Sequence, residues 1–111
     1  MKKKAIGERG SWFAKVEGER LPCVHKHWVI ANIHNDPGYL EGDPKWSEFC
    51  SAIEKNGRVI LTKDVASPAS GKKSGVAFVR TGYIGIFAIK DFAADEQGLR
   101  FVLTQRLCDL E

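Results

Sequence analysis

The sequence predicts an α+β domain, a small, mainly antiparallel curved sheet or partly closed β-barrel with one principal helix. Three observations carry that prediction. The stretch Thr81-Gly-Tyr-Ile-Gly-Ile-Phe-Ala-Ile-Lys-Asp91 is apolar on both faces of an extended strand. By contrast, Leu99 to Leu107 alternates, with Leu99, Phe101, Leu103 and Leu107 on one side and Arg100, Val102, Thr104 and Arg106 on the other, so one face is buried and the other mostly wet. A helical apolar stripe is clear in one segment, where Trp46, Phe49, Cys50 and Ile53 recur at i, i+3, i+4 and i+7.

Residues 1–10 read as a basic flexible N-terminus and residues 11–111 as a single domain. Trp12–Val16 and Leu21–His25 flank the polar loop Glu17-Gly18-Glu19-Arg20, the signal for a hairpin. Pro22 lacks a backbone donor, which places its strand at an edge or at the strand's own start. The run through His27–Ile33 is expected to stay extended before a turn at His34–Tyr39, where Asn35, Asp36, Pro37 and Gly38 are all turn formers. Asp43 caps the helix, Pro44 fits its first position, and Asn56-Gly57 supplies a left-handed stop. Arg58–Asp64 then reads as a strand and Val65–Ser74 as a small, polar, basic loop. A short strand over Gly75–Arg80 and a bend or bulge at Thr81-Gly82 lead into a long strand, Tyr83–Phe92.

With 43% hydrophobic and 28% charged residues in 111, the composition is that of one globular domain rather than a disordered chain. No apolar run approaches the roughly 18 residues of a membrane span. The basic start lacks the apolar core of a signal peptide, because charge returns at Glu8 and Arg9, so the expected setting is cytoplasmic. Cys23, Cys50 and Cys108 are odd in number, well spread and expected to be reduced. The net charge of +3 is uneven: +4 over residues 1–30, −2 over 31–64 and +1 over 65–111. A cationic N-terminal third attracts phosphates, or simply solvates a frayed end.

Cys23, His25 and His27 would project from one face of an extended strand, a donor set suited to zinc that His34 or Cys50 would complete. No Cys-x-x-Cys or His-Glu-x-x-His spacing accompanies them. A nucleophile elbow, a Gly-rich phosphate cradle and a converging acid–base pair are equally missing, so the expected role is non-catalytic and needs no cofactor. The remaining signal is the interleaving of aromatic and basic residues. Trp12, Trp28 and Tyr39 offer flat faces on which bases stack, and Lys15, Lys26, Lys72, Lys73 and Arg80 offer charge for phosphates. Trp46 also offers a ring but lies on the helix stripe, where an aromatic belongs to the core.

The segment from Trp46 to Leu110 resembles the PUA-like superfamily, in particular its EVE and ASCH branches. The resemblance lies in a helix ending in glycine, the strand Gly57-Arg-Val-Ile-Leu-Thr62, the strand Gly82-Tyr-Ile-Gly-Ile-Phe-Ala-Ile89, and the closing strand Leu99–Leu107. It implies a pseudo-barrel of five or six strands, with a pocket or groove near Trp12, Trp28, Tyr39 and Trp46 that contacts RNA or a flipped, modified DNA base. The expectation is therefore a non-catalytic nucleic-acid-binding module. The alternatives are a protein-interaction or accessory domain forming a homodimer, and a metal-binding protein using Cys23, His25 and His27.

Overall fold

The computed structural model describes residues 2–38, 42–66 and 79–111. The described residues form nine strands: β1 Lys2–Lys3, β2 Ala5–Gly7, β3 Phe13–Val16, β4 Glu19–His25, β5 Val29–Ile30, β6 Ile33–Asp36, β7 Arg58–Ala66, β8 Val79–Asp95 and β9 Gly98–Leu110. A short 3-10 turn spans Lys26–Trp28, and the helix α1 spans Pro44–Asn56. They form one sheet in the order β2-β3-β4-β7-β8-β9-β6-β5, with β1 added beside β9. The sheet curls into a half-barrel, so the α+β class and the curved sheet hold. Among the described residues, no helix is long and apolar enough to cross a membrane.

Most pairings are antiparallel, but β1 runs parallel to β9 and β4 runs parallel to β7. The second exception follows from the chain's path. After β4 it passes through the 3-10 turn, β5, β6 and α1 before it returns as β7, the long crossover that a parallel pair requires. The first exception belongs to the N-terminal segment, part of which is paired in the sheet. Lys2–Lys3 pairs with Asp109–Leu110 and Ala5–Gly7 pairs with Ala14–Val16, so the segment bridges the two margins of the curled sheet. Ala5 is buried there, and Lys3 is held by Glu17 at 2.5 Å. Two very short strands carry no periodicity of their own; the open edges of β3 and β9 impose the extended form.

The hairpin of β3 and β4 turns on Glu17-Gly18, both at positive φ, so its loop is tighter than the four residues read from sequence. Pro22 does not mark an edge, because β4 lies between β3 and β7. The nitrogen of Cys23 donates to the Trp12 carbonyl, so the nitrogen of Pro22 faces the β7 side, where the ladder begins one residue later at Cys23 opposite Ile60. The extended run expected from His27 to Ile33 is also broken. Lys26–Trp28 coils, and Ala31-Asn32, both left-handed, turn β5 into β6, which places His34, Asn35 and Asp36 in a strand.

The helix follows its sequence signals: Asp43 Oδ1 accepts from the Lys45 nitrogen at 2.9 Å, and Gly57 ends it at φ 65°. Its buried residues Trp46, Phe49 and Ile53 meet Phe13, Val24, Val59, Leu61, Leu99, Phe101 and Leu103 in a helix-side cluster. The opposite face of the sheet holds an inner cluster of Ala5, Ala14, Val16, Leu21, Ile60, Ile86 and Leu110. This explains why β8 reads as apolar on both faces, since Ile86 joins the inner cluster while Ile84, Phe87 and Ile89 pack against the helix-side one. Each fully buried aliphatic or aromatic side chain contributes about 1.5–3 kcal/mol. Leu107 departs from the expected buried face and is 45% exposed, because it and Thr104 have no partner on β8; these bulges change which face the end of β9 presents.

Candidate functional site

A cavity of about 490 Å³ opens between the two clusters, walled by residues from both ends of the hairpin and from the helix. Trp12 precedes β3, Trp28 closes the 3-10 turn, and Trp46 and Phe49 come from the first two turns of α1. Tyr83 on β8, Thr62 on β7 and Gly7 on β2 form the inner wall. The Tyr83 hydroxyl stands directly over Gly7, where an added Cβ would push the ring aside.

The rings hold one another in place. Trp12 is 40% exposed and meets Trp46 edge-on at 5.8 Å and Phe49 at 5.2 Å, while Trp28, 37% exposed, stands edge-on to His27 at 4.9 Å. Arg20 ties down the rim: its Nε donates to Glu8 at 2.7 Å, another guanidinium nitrogen donates to Glu48 at 3.0 Å, and its Cζ lies 3.7 Å from the Phe13 ring centre. The hydrogen bond from Arg20 holds the Glu8 carboxyl below its ordinary pKa.

Three polar groups on the wall have defined proton states or open valences. His34 is fully buried and stacked on Phe101 at 4.4 Å, and its pKa is lowered, chiefly by burial. Its Nδ1 lies 3.3 Å from the Leu99 carbonyl, an acceptor, so Nδ1 carries the proton and Nε2 is left as an acceptor. His25 Nδ1 accepts from the His27 nitrogen at 2.9 Å, which puts the proton on Nε2. That Nε2 lies 3.0 Å from Asp64 Oδ1 but off the N–H axis, so no hydrogen bond joins them. The Trp46 indole N–H is buried and unpartnered among the described residues, a state that costs about 1–3 kcal/mol when nothing answers it.

Of the residues singled out from sequence, the cavity brings together Trp12 and Trp28 with Cys23 and His25. Lys15 and Lys26 are exposed and do not line it. Arg80 belongs to a second cavity of about 420 Å³ beyond Tyr83, which it shares with Lys2, Lys63 and Arg106. Lys63 lies across Gly82 there, where a Cβ would come within 3.3 Å of its chain. Tyr39, Lys72 and Lys73 lie outside the described residues, as do the Val65–Ser74 loop beyond Ala66 and the start of the Gly75–Arg80 segment.

The donor set read for zinc does not assemble. The strand ends at His25, His27 sits in the 3-10 turn, and the Cys23 thiol packs against the inner cluster, where burial pushes its pKa up to about 12. Among the described residues, no group of three His, Cys, Asp or Glu side chains is placed to hold a metal ion. The cysteines are free.

Sequence reasoning missed Glu8, Asp36, Thr62 and Thr81 on the wall. Their signal is positional only: Glu8 follows the end of β2, Asp36 ends β6, Thr81 lies near the start of β8, and Thr62 lies mid-strand in β7 beside its bulge. Comparison of the chain with protein-family models, with curated proteins and with solved structures returns no match in any of the three.

Proposed function

We propose that the chain is a non-catalytic nucleic-acid-binding module of PUA-like type, taking RNA or modified-base DNA, with one unstacked base seated in the tryptophan-lined cavity. The observation that supports this reading is a concavity of about 490 Å³ walled by Trp12, Trp28, Trp46 and Tyr83. Such faces contribute about 1–3 kcal/mol per stacked base and tolerate any base. The curled sheet crossed by one helix agrees with a pseudo-barrel. The cations of Lys2, Lys63 and Arg80 lie on the far side of Tyr83, where flanking phosphates find them while the base occupies the aromatic side. Free thiols agree with a reducing, cytoplasmic setting.

The test is titration of a fluorescent single-stranded or hairpin oligonucleotide at low and moderate salt. The expected result is binding that weakens as salt rises, and that Trp28→Ala weakens about 5- to 150-fold, the equivalent of one lost stack. No binding at either salt removes the proposal.

A second reading, a homodimer or accessory domain, has one observation in its favour. The tip of the β5–β6 hairpin exposes Ile30 at 79% and its cross-strand partner Ile33 at 53%, beside the free edge of β5. Light scattering that finds a salt-insensitive dimer without oligonucleotide affinity favours it.

A further inference from the structure

We propose that the base this cavity selects is positively charged, a ring-methylated nucleobase that is cationic at neutral pH. The inference rests on the nucleic-acid reading above and names the ligand class within it.

The argument starts from charge. Among the described residues, neither a lysine nor an arginine lines the cavity, whereas the carboxylates of Glu8 and Asp36 do. Glu8 is already answered by Arg20 at 2.7 Å. Asp36 is not: its Oδ1 takes the Gly38 N–H at 2.9 Å, and it forms no ion pair with any described cation. Asp36 therefore leaves an uncompensated negative charge on the cavity wall, which favours a cationic ligand over a neutral one.

The ring faces have the same preference. Indole and phenol rings present negative faces, so several of them around one space attract a cation that is also flat and poorly hydrated. A neutral base gains stacking alone. A cationic base gains stacking, attraction to the ring faces and the field of Asp36. The neutral imidazole of buried His34 opposes none of this. A ring nitrogen on the same base also supplies an acceptor for the unpartnered Trp46 N–H.

The test uses the full chain and free nucleosides, which carry no phosphate and so separate base selection from backbone binding. Quenching of tryptophan fluorescence near neutral pH compares 1-methyladenosine, a cation, with its neutral isomer N6-methyladenosine. The cation is expected to bind on the order of tenfold more tightly. Asp36→Asn, which keeps the carbonyl that accepts from Gly38, is expected to move that ratio toward one; the wild-type comparison stands without the variant if it fails to fold. Equal affinities, or a preference for the neutral isomer, overturn charge selection and leave the base-binding reading intact. Binding of tetramethylammonium or a trimethyl-lysine peptide without either nucleoside overturns both readings, as does no binding of any probe.

Discussion

The two faces of the half-barrel are filled with different material. Inside, every buried member of the cluster is aliphatic, from Ala5 and Ala14 to Leu21, Ile60 and Leu110. On the helix side, Phe13, Trp46, Phe49 and Phe101 supply most of the bulk. Small branched side chains interdigitate and close space, whereas large planar rings meet edge to face and leave gaps wide enough for a flat molecule. The cavity accordingly opens where rings dominate, and Cys23 and Tyr83 join its wall to the inner cluster. Both faces of the sheet thus carry stability, and the aromatic face carries the cavity as well.

The strongest challenge to that comparison is to hollow out each side in turn. Phe101→Ala removes a fully buried ring and its stack on His34, and is expected to cost about 3–5 kcal/mol in urea denaturation. Leu21→Ala on the inner side is expected to cost about 2–5 kcal/mol. A silent Leu21→Ala would mean that the aliphatic face is no core at all.

Backbone approach gives the next effect. A Cβ added at Gly85 would lie 2.7 Å from the Cys108 carbonyl, so Gly85→Ala should destabilise by about 1–3 kcal/mol by prising β8 from β9. His34 sharpens the comparison by pH. Its folded pKa lies below the ordinary 6.5, so its contribution is fully present above pH 6.5 and is lost as pH falls through that value toward the folded pKa, while the unfolded chain takes up a proton the buried ring resists. The urea midpoint should therefore drop on acidification, and His34→Gln should flatten the drop. Arg100→Ala is the smallest: its 2.9 Å pair with Asp95 is solvent-exposed, and the change should stay within about 0.5 kcal/mol.

Legibility in the sequence followed how local the cause was. Helix α1 was readable from Asp43 to Gly57 because cap, stripe and stop all act within a turn or two of the chain. The buried face of Leu99, Phe101 and Leu103 was readable by alternation, but Leu107 was not, because a bulge is set by the partner strand. The parallel pairing of β4 with β7, the interior place of Pro22 and the recruitment of Lys2–Gly7 all depend on distant segments. The site divides in the same way. Trp12 and Trp28 stood out as aromatics beside loops. The acidic lining did not, because Glu8 and Asp36 come from separate strand ends and acquire a shared meaning only in space. The basic residues, neighbours in composition, are dispersed by the fold.

The bridge between the sheet's margins also governs timing. Lys2 finds its partner at Asp109, nearly the whole length of the chain away. A polypeptide leaving the ribosome must therefore hold its first strand idle until its final one emerges, and contacts so distant in sequence form slowly. Gly7 and Glu8 pair locally with the start of β3, but Thr81, Tyr83 and Leu99 come from the two strands that emerge last, which makes the aromatic chamber one of the last parts of the molecule to be completed after synthesis.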